Sequence, residues 1–179
     1  MYELFVHYAD GMPTISATDP LALDRQVCFA LVTTARRVVG IYGPVLEPLG
    51  LTHPQYLVML ALWERSPRRV RELADALYLE PATLSPLLKR LESAGLIERR
   101  RDPDDDRALA VSLTQAGIAL RERALSVPGQ IMERLGVGVG ELERARDALN
   151  ELLAATETAS RDYVAAPGRG SGFPKTPPR

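Results

Sequence analysis

The chain holds one cysteine, Cys28, and two histidines, His7 and His53. A lone thiol can be oxidised or form a mixed disulfide, but it cannot close a bridge within the chain. With so few Cys and His residues a structural zinc site is not expected, nor is any other metal or cofactor. Asp102, Asp104 and Asp106 alternate as in a calcium loop. The sixth loop position, however, is Arg107 where glycine is needed, and the twelfth is Leu113 where glutamate is needed, so the stretch reads as a hairpin turn. The remaining chemistry is hydroxyl and cationic: Thr83, Ser85, Lys89 and Arg90 in one cluster, then Arg99, Arg100 and Arg101 before the Asp-rich turn and Arg107 just after it. Such groups suit base edges and phosphates. No nucleophile–base–orienter set and no Gly-rich phosphate loop is present, which argues against an enzyme, a single-cysteine thiol peroxidase included.

The elements that must position these residues follow from periodicity. Residues 1–19 show no sustained pattern and read as a loose extension. Asp19-Pro20 is a helix-start signal, and Val27, Cys28, Leu31, Val32, Ala35, Val38, Val39 and Tyr42 then recur at helical spacing; Gly43-Pro44 should kink or end that helix, and Pro48 and Gly50 close the region. Thr52 with Pro54 opens a second helix to about Arg65, with Tyr56, Met59, Leu60 and Trp63 as its buried face. A short extended piece around Arg68–Val70 precedes two short helices. The first uses Val70, Leu73, Ala74 and Leu77; the second starts at Pro81, uses Leu84, Leu87, Leu88 and Leu91, and ends at a left-handed Gly95. The period then changes: Ile97–Arg101, a turn over Asp102–Asp106, and alternating Leu109, Val111 and Leu113 make a β-hairpin. Thr114 caps a helix to about Leu135, bent near Pro128-Gly129, and Glu141–Val164 is a last helix. Residues 165–179 are Pro/Gly-rich and read as a disordered tail.

Helix–helix–strand–helix–helix–strand–strand–helix–helix is the order of a winged helix-turn-helix, mainly α with a small β-hairpin wing. In such a unit the second helix of the motif enters the major groove, which points Thr83 and Ser85 at bases and Lys89 and Arg90 at phosphates. Arg99 and Arg101 on the wing, with Arg107 at its tip and Asp105 or Asp106 holding Arg107 in place, suit a narrow minor groove. A solvated basic edge strand is the alternative reading of the same arginines. The net charge of −1 means that attraction to DNA must come from local placement of cations. The long first helix and the final helices carry more apolar surface than one small lobe needs. We expect an intertwined homodimer, with 20–50 and 114–164 as dimerisation segments, 51–113 as the DNA-binding lobe, and a palindromic double-stranded operator read one helical turn apart. No run is apolar enough to span a membrane and no export signal is visible, so a cytoplasmic location is expected.

The wing text RRRDPDDDRALAVSLTQAG and the order of elements resemble the multiple-antibiotic-resistance regulator (MarR) family. Leu23–Leu31, Tyr42–Glu64 and Leu77–Arg100 further resemble the organic hydroperoxide resistance regulators within it, the similarity running from about Leu21 to Leu153. The resemblance implies a repressor whose cysteine, here Cys28, is oxidised by an organic hydroperoxide so that DNA is released. A low-molecular-weight thiol then captures the oxidised sulfur, since no second cysteine exists. Without the resemblance, Cys28 on an apolar helix face reads first as a small inert hydrophobe. The family activates its thiol with tyrosine hydroxyls: Tyr42 matches one, Val32 replaces a second, and His53 replaces a third. His53, if protonated, would stabilise a thiolate, and if turned to water would only start a helix. Pro81-Ala82 also replaces a small polar pair ahead of Thr83, while Pro86 fits the subgroup. Release by a small aromatic or lipophilic acid is the alternative trigger.

Overall fold

The computed structural model describes residues 7–9, 12–14, 19–102 and 105–165, with side chains described for 19–101 and 109–159. It divides into two compact units, Met1–Ile131 and Met132–Arg179. Near the N-terminus His7–Ala9 (β1) pairs antiparallel with Met12–Thr14 (β2). The Asp19-Pro20 signal is used, but only for one turn. Leu21 N–H donates to Asp19 Oδ1 at 2.8 Å, Leu23–Arg25 form a 3-10 turn, and Gln26 is extended with its Nε2 on the Pro20 carbonyl at 2.6 Å. The long helix therefore begins at Val27 (α1, Val27–Leu46). Of the two outcomes expected at Gly43-Pro44, a kink or an end, it does not end there. Pro44 forfeits a single helical bond, whereas Val45 and Leu46 beyond it are 3% and 0% exposed, so packing outweighs the lost bond.

Thr52 caps α2 (His53–Glu64) as expected: its backbone N–H donates to Gln55 Oε1 at 2.8 Å, closing a capping box. The buried face differs from expectation. Tyr56 and Met59 are buried, but so are Val58, Ala61 and Leu62, while Leu60 is 42% exposed. α2 is packed by four helices and a strand, α1, α3 (Val70–Ala76), α4 (Pro81–Ser93), α5 (Gln115–Ala124) and β5 (Asp105–Leu113), so burial extends round it instead of following one stripe.

The turn from α3 to α4 closes with Leu79 N–H on Ala74 O at 2.9 Å and Tyr78 N–H on Asp75 O at 3.2 Å, with Tyr78 left-handed at φ 53°. This is a Schellman closure with tyrosine where glycine is usual. α4 ends at Gly95 (φ 70°), with Leu96 N–H on Leu91 O at 3.0 Å, as the sequence led us to expect.

The sheet has the order β3-β5-β4, where β3 is Arg68–Arg69 and β4 is Ile97–Asp102. Arg99 lies opposite Val111 and Asp102 opposite Asp105, so pairing reaches further toward the tip than the expected turn over Asp102–Asp106. β5 is the middle strand, and Ala110 and Val111 are both buried while Leu109 is exposed.

The expected single helix from Thr114 to Leu135 is two, α5 and α6 (Val127–Leu135). Pro128 has no N–H to give the Ala124 carbonyl, so the helix stops and restarts, and Ser126 Oγ donates to the Arg123 carbonyl at 3.1 Å in the break. α7 spans Val139–Ala165. Leu46, Met59, Leu62, Leu73, Leu84, Leu88, Leu91, Ile97 and Val111 form the centre of the core, each below 2% exposed.

α5 is fastened to the rest of the first unit by polar contacts at its start and along its length. Thr114 Oγ1 donates to Gly95 O at 2.6 Å and accepts from Gly117 N–H at 3.1 Å. Trp63 Nε1–H reaches across to the Gly117 carbonyl at 2.9 Å. Gly117 itself lies so close to Leu96 that a Cβ there would stand 2.1 Å from the Leu96 carbonyl oxygen.

Candidate nucleic-acid interface and thiol site

α4 turns Leu84, Leu88 and Leu91 into the core and exposes Thr83, Ser85, Pro86, Lys89 and Arg90. Its start is set by local chemistry. Glu80 is extended, Pro81 occupies the first turn where its missing N–H is harmless, and Thr83 N–H bonds the Glu80 carbonyl at 2.9 Å. Hydroxyls and cations thus share one outward face, hydroxyls toward the N-terminal end.

The wing arginines are not equivalent. Arg99 Nε donates to Glu92 Oε2 at 3.0 Å, and a second guanidinium nitrogen bonds the same oxygen, tying β4 to α4. The hydrogen bond from Arg99 is the main cause that holds the Glu92 carboxyl below its ordinary value, and Glu92 in turn raises Arg99. Arg99 therefore braces the wing against the helix, a bond between residues seven positions apart that periodicity does not reveal. Arg100 pairs with Glu98 at 2.9 Å, and Arg101 is exposed. Arg107 and Asp105 lie in β5, but their side chains fall outside the described residues.

Cys28 is exposed on α1, in a run with Val27, Phe29, Leu31 and Val32 that is also exposed. Tyr42 and His53 meet edge to face with ring centroids 4.9 Å apart, and Tyr42 lies 6.1 Å from Tyr56, which in turn lies 6.2 Å from Trp63. The ladder Tyr42–Tyr56–Trp63 was missed in the sequence because its spacing belongs to two helices. Desolvation raises the Tyr42 and Tyr56 hydroxyls and lowers His53. The Tyr hydroxyls are thus protonated donors at neutral pH, and burial favours the neutral form of His53 while leaving it one N–H to give.

The structure brings Tyr42 and His53 together and does not bring Cys28 to either. Cys28 precedes Tyr42 by 14 residues on one helix, about 21 Å at roughly 1.5 Å per residue. Beside the Tyr42–His53 pair is an open cleft of about 490 Å³ lined by Val39, Gly43, Leu51, His53 and Pro54 among others. A second cleft, of about 300 Å³, lies between Tyr56, Leu60, Trp63, Arg121 and Leu125. Among the described residues no group of three or more His, Cys, Asp or Glu is placed to hold a metal, and no helix is long and apolar enough to cross a membrane.

The chain matches the MarR family over residues 51–109. It is 39% identical over 135 residues to an organic hydroperoxide resistance transcriptional regulator of Bacillus subtilis, covering 75% of this chain and 92% of that protein. Reduced AbfR bound to DNA, from Staphylococcus epidermidis, superposes with a TM-score of 0.68 at 30% identity, covering 80% of this chain and 99% of that one. The repressor CouR of Rhodococcus jostii, bound to a 23-mer DNA duplex, superposes with a TM-score of 0.65 at 29% identity, covering 79% of this chain and 99% of that one.

Proposed function

The chain belongs to the MarR family of DNA-binding transcription regulators, and from that premise we propose that it is a homodimeric repressor that leaves its operator when Cys28 is oxidised by an organic hydroperoxide. Thr83 and Ser85 of α4 meet bases, while Lys89, Arg90, Arg101 and Arg107 meet phosphates and the minor groove, with Asp105 supporting Arg107 at the tip. Arg99 acts through Glu92 by holding the wing. The likeness to DNA-bound AbfR and CouR supports this assignment.

The placement of Cys28 carries the sensor reading. It sits in an exposed apolar run that a second copy would cover, and about a helix length from the donors of its own chain. A second copy crossing α1 in the opposite sense would seat its Cys28 at the Tyr42–His53 cleft, where two hydrogen-bond donors favour a thiolate. The thiolate attacks the terminal peroxide oxygen; the O–O bond breaks, the alkoxide leaves and takes up the proton that the thiol had given up, and the sulfur becomes a sulfenic acid. A small thiol then condenses with it, giving a mixed disulfide and water. Either product adds bulk and polarity to a packed helix contact, which shifts the paired lobes away from DNA spacing.

Anisotropy of a labelled operator duplex tests this reading. Reduced protein binds with a steep salt dependence, organic hydroperoxide releases it, and Cys28→Ser binds equally well and stays bound. Release of the Cys28→Ser protein by the peroxide would remove Cys28 from the role. The clefts favour a second reading, release by an aromatic or lipophilic acid. CouR has been crystallised with p-coumaroyl-CoA, and Arg121 offers a cation beside the Tyr56–Trp63 cleft. Release of Cys28→Ser by such an acid, and not by peroxide, would select it.

A further inference from the structure

The outward face of α4 has an unusual chemistry for a helix that reads DNA. Pro81, Ala82, Thr83, Ser85 and Pro86 are exposed, and between Pro81 and Leu88 there is no Arg, Lys, Asn or Gln. Two-pronged recognition of guanine needs Arg or Lys, and of adenine Asn or Gln; hydroxyls discriminate poorly, and the thymine 5-methyl group is met by apolar carbon. Cations appear only from Lys89 onward, at a distance from the helix start that suits phosphates.

Ala82 and Pro86 are four residues apart, so they lie side by side on one face with Cβ atoms about 5–6 Å apart, flanked by the hydroxyls of Thr83 and Ser85. Pro86 stands inside the helix and has no N–H for the Ala82 carbonyl. It is exposed, so core packing does not offset the lost bond, and what the ring adds is carbon surface at the middle of the outward face. We propose that Ala82 and Pro86 are the specificity-determining residues of α4 and that they read thymine methyl groups, so that each operator half-site is chosen by thymines in the major groove. This rests on α4 being the recognition helix.

The test uses the full-length reduced protein and a pool of duplexes with a randomised centre. Retained duplexes are sequenced, and the best is synthesised with thymine or, at each thymine of the half-site, deoxyuridine, which lacks only the methyl. We expect one or two half-site positions at which uracil weakens binding about fourfold each, the value of burying one methyl. In Pro86→Ala, which keeps a good helix former at that position, the same uracil change should have a clearly smaller effect. Equal tightness of the thymine and uracil duplexes would overturn the proposal while leaving α4 as the reading helix. An undiminished uracil effect in both Pro86→Ala and Ala82→Gly would overturn the assignment to these residues. A pool from which nothing is retained would remove the recognition-helix reading together with the proposal.

Discussion

Gly117 and Gly129 occupy the same position, third in their helices α5 and α6, and differ only in surroundings. A Cβ at Gly117 would stand 2.1 Å from the Leu96 carbonyl oxygen, 3.1 Å from its carbon and 3.2 Å from Leu113 Cδ2, whereas a Cβ at Gly129 meets nothing within 4 Å. An ordinary C···O approach is about 3.3 Å or more, so Gly117→Ala requires a shift of roughly 1.2 Å between two backbones. Neither yields easily: the Leu96 carbonyl accepts from Thr114 N–H at 3.1 Å, and Gly117 is bonded at its N–H to Thr114 and at its carbonyl to Trp63. Overpacking of this kind costs about 3 kcal/mol, the upper part of the usual range. Replacing glycine by alanine in a helix returns about 1 kcal/mol. The net expectation is a loss of roughly 2 kcal/mol for Gly117→Ala and a gain approaching about 1 kcal/mol for Gly129→Ala. Urea unfolding followed by far-UV circular dichroism, at one protein concentration because association shifts stability, should move the midpoint down by about 1 M for the first and slightly up for the second. Gly117→Ala should also weaken operator binding, since the displaced Leu96 carbonyl adjoins the start of β4. A neutral or stabilising Gly117→Ala would refute the claim that this close approach sets the position of α5 against the wing.

Other perturbations separate the roles assigned above. Because Arg99 depresses the Glu92 carboxyl, that group contributes stability above the ordinary glutamate value of about 4.3 and loses it as pH falls through its lowered folded value. The difference in thermal midpoint between wild type and Glu92→Gln should therefore close below about pH 4. Burial lowers His53, so the folded state favours neutral imidazole and stability falls once pH drops below about 6.5; a titration of the unfolding midpoint should be flatter in His53→Gln, and an identical slope would show that His53 is solvated alike in both states. Trp63→Phe retains the ring against Tyr56 but leaves the Gly117 carbonyl without its donor, a loss of about 1 kcal/mol that differential scanning calorimetry would register as a drop of a few degrees.

Much of this fold is written in short-range signals. Thr52, Pro81, Gly95 and Thr114 start or stop their elements through contacts within one helical turn, and each performs as its type and spacing led us to expect. The change of period after Gly95 placed the wing for the same reason, because cross-strand pairing in a hairpin is local. The reading failed where packing from several directions outweighed a local rule. Leu60 is exposed while Val58 is buried because α2 is surrounded, and at Pro44, where α1 could have kinked or ended, the burial of Val45 and Leu46 keeps the helix going. At the candidate site, the sequence by itself determined the inventory: one thiol, a helix face of hydroxyls, methyl and ring carbons, and an arginine-rich hairpin. Only the tertiary structure decided what each group faces. It ties Arg99 to Glu92, sets Tyr42 on His53 at a cleft remote from the thiol of its own chain, and makes Gly117 the one residue type that fits beneath Leu96. Periodicity records which side of a helix is apolar; what stands opposite that side depends on elements distant in the chain, and there the chemistry is settled.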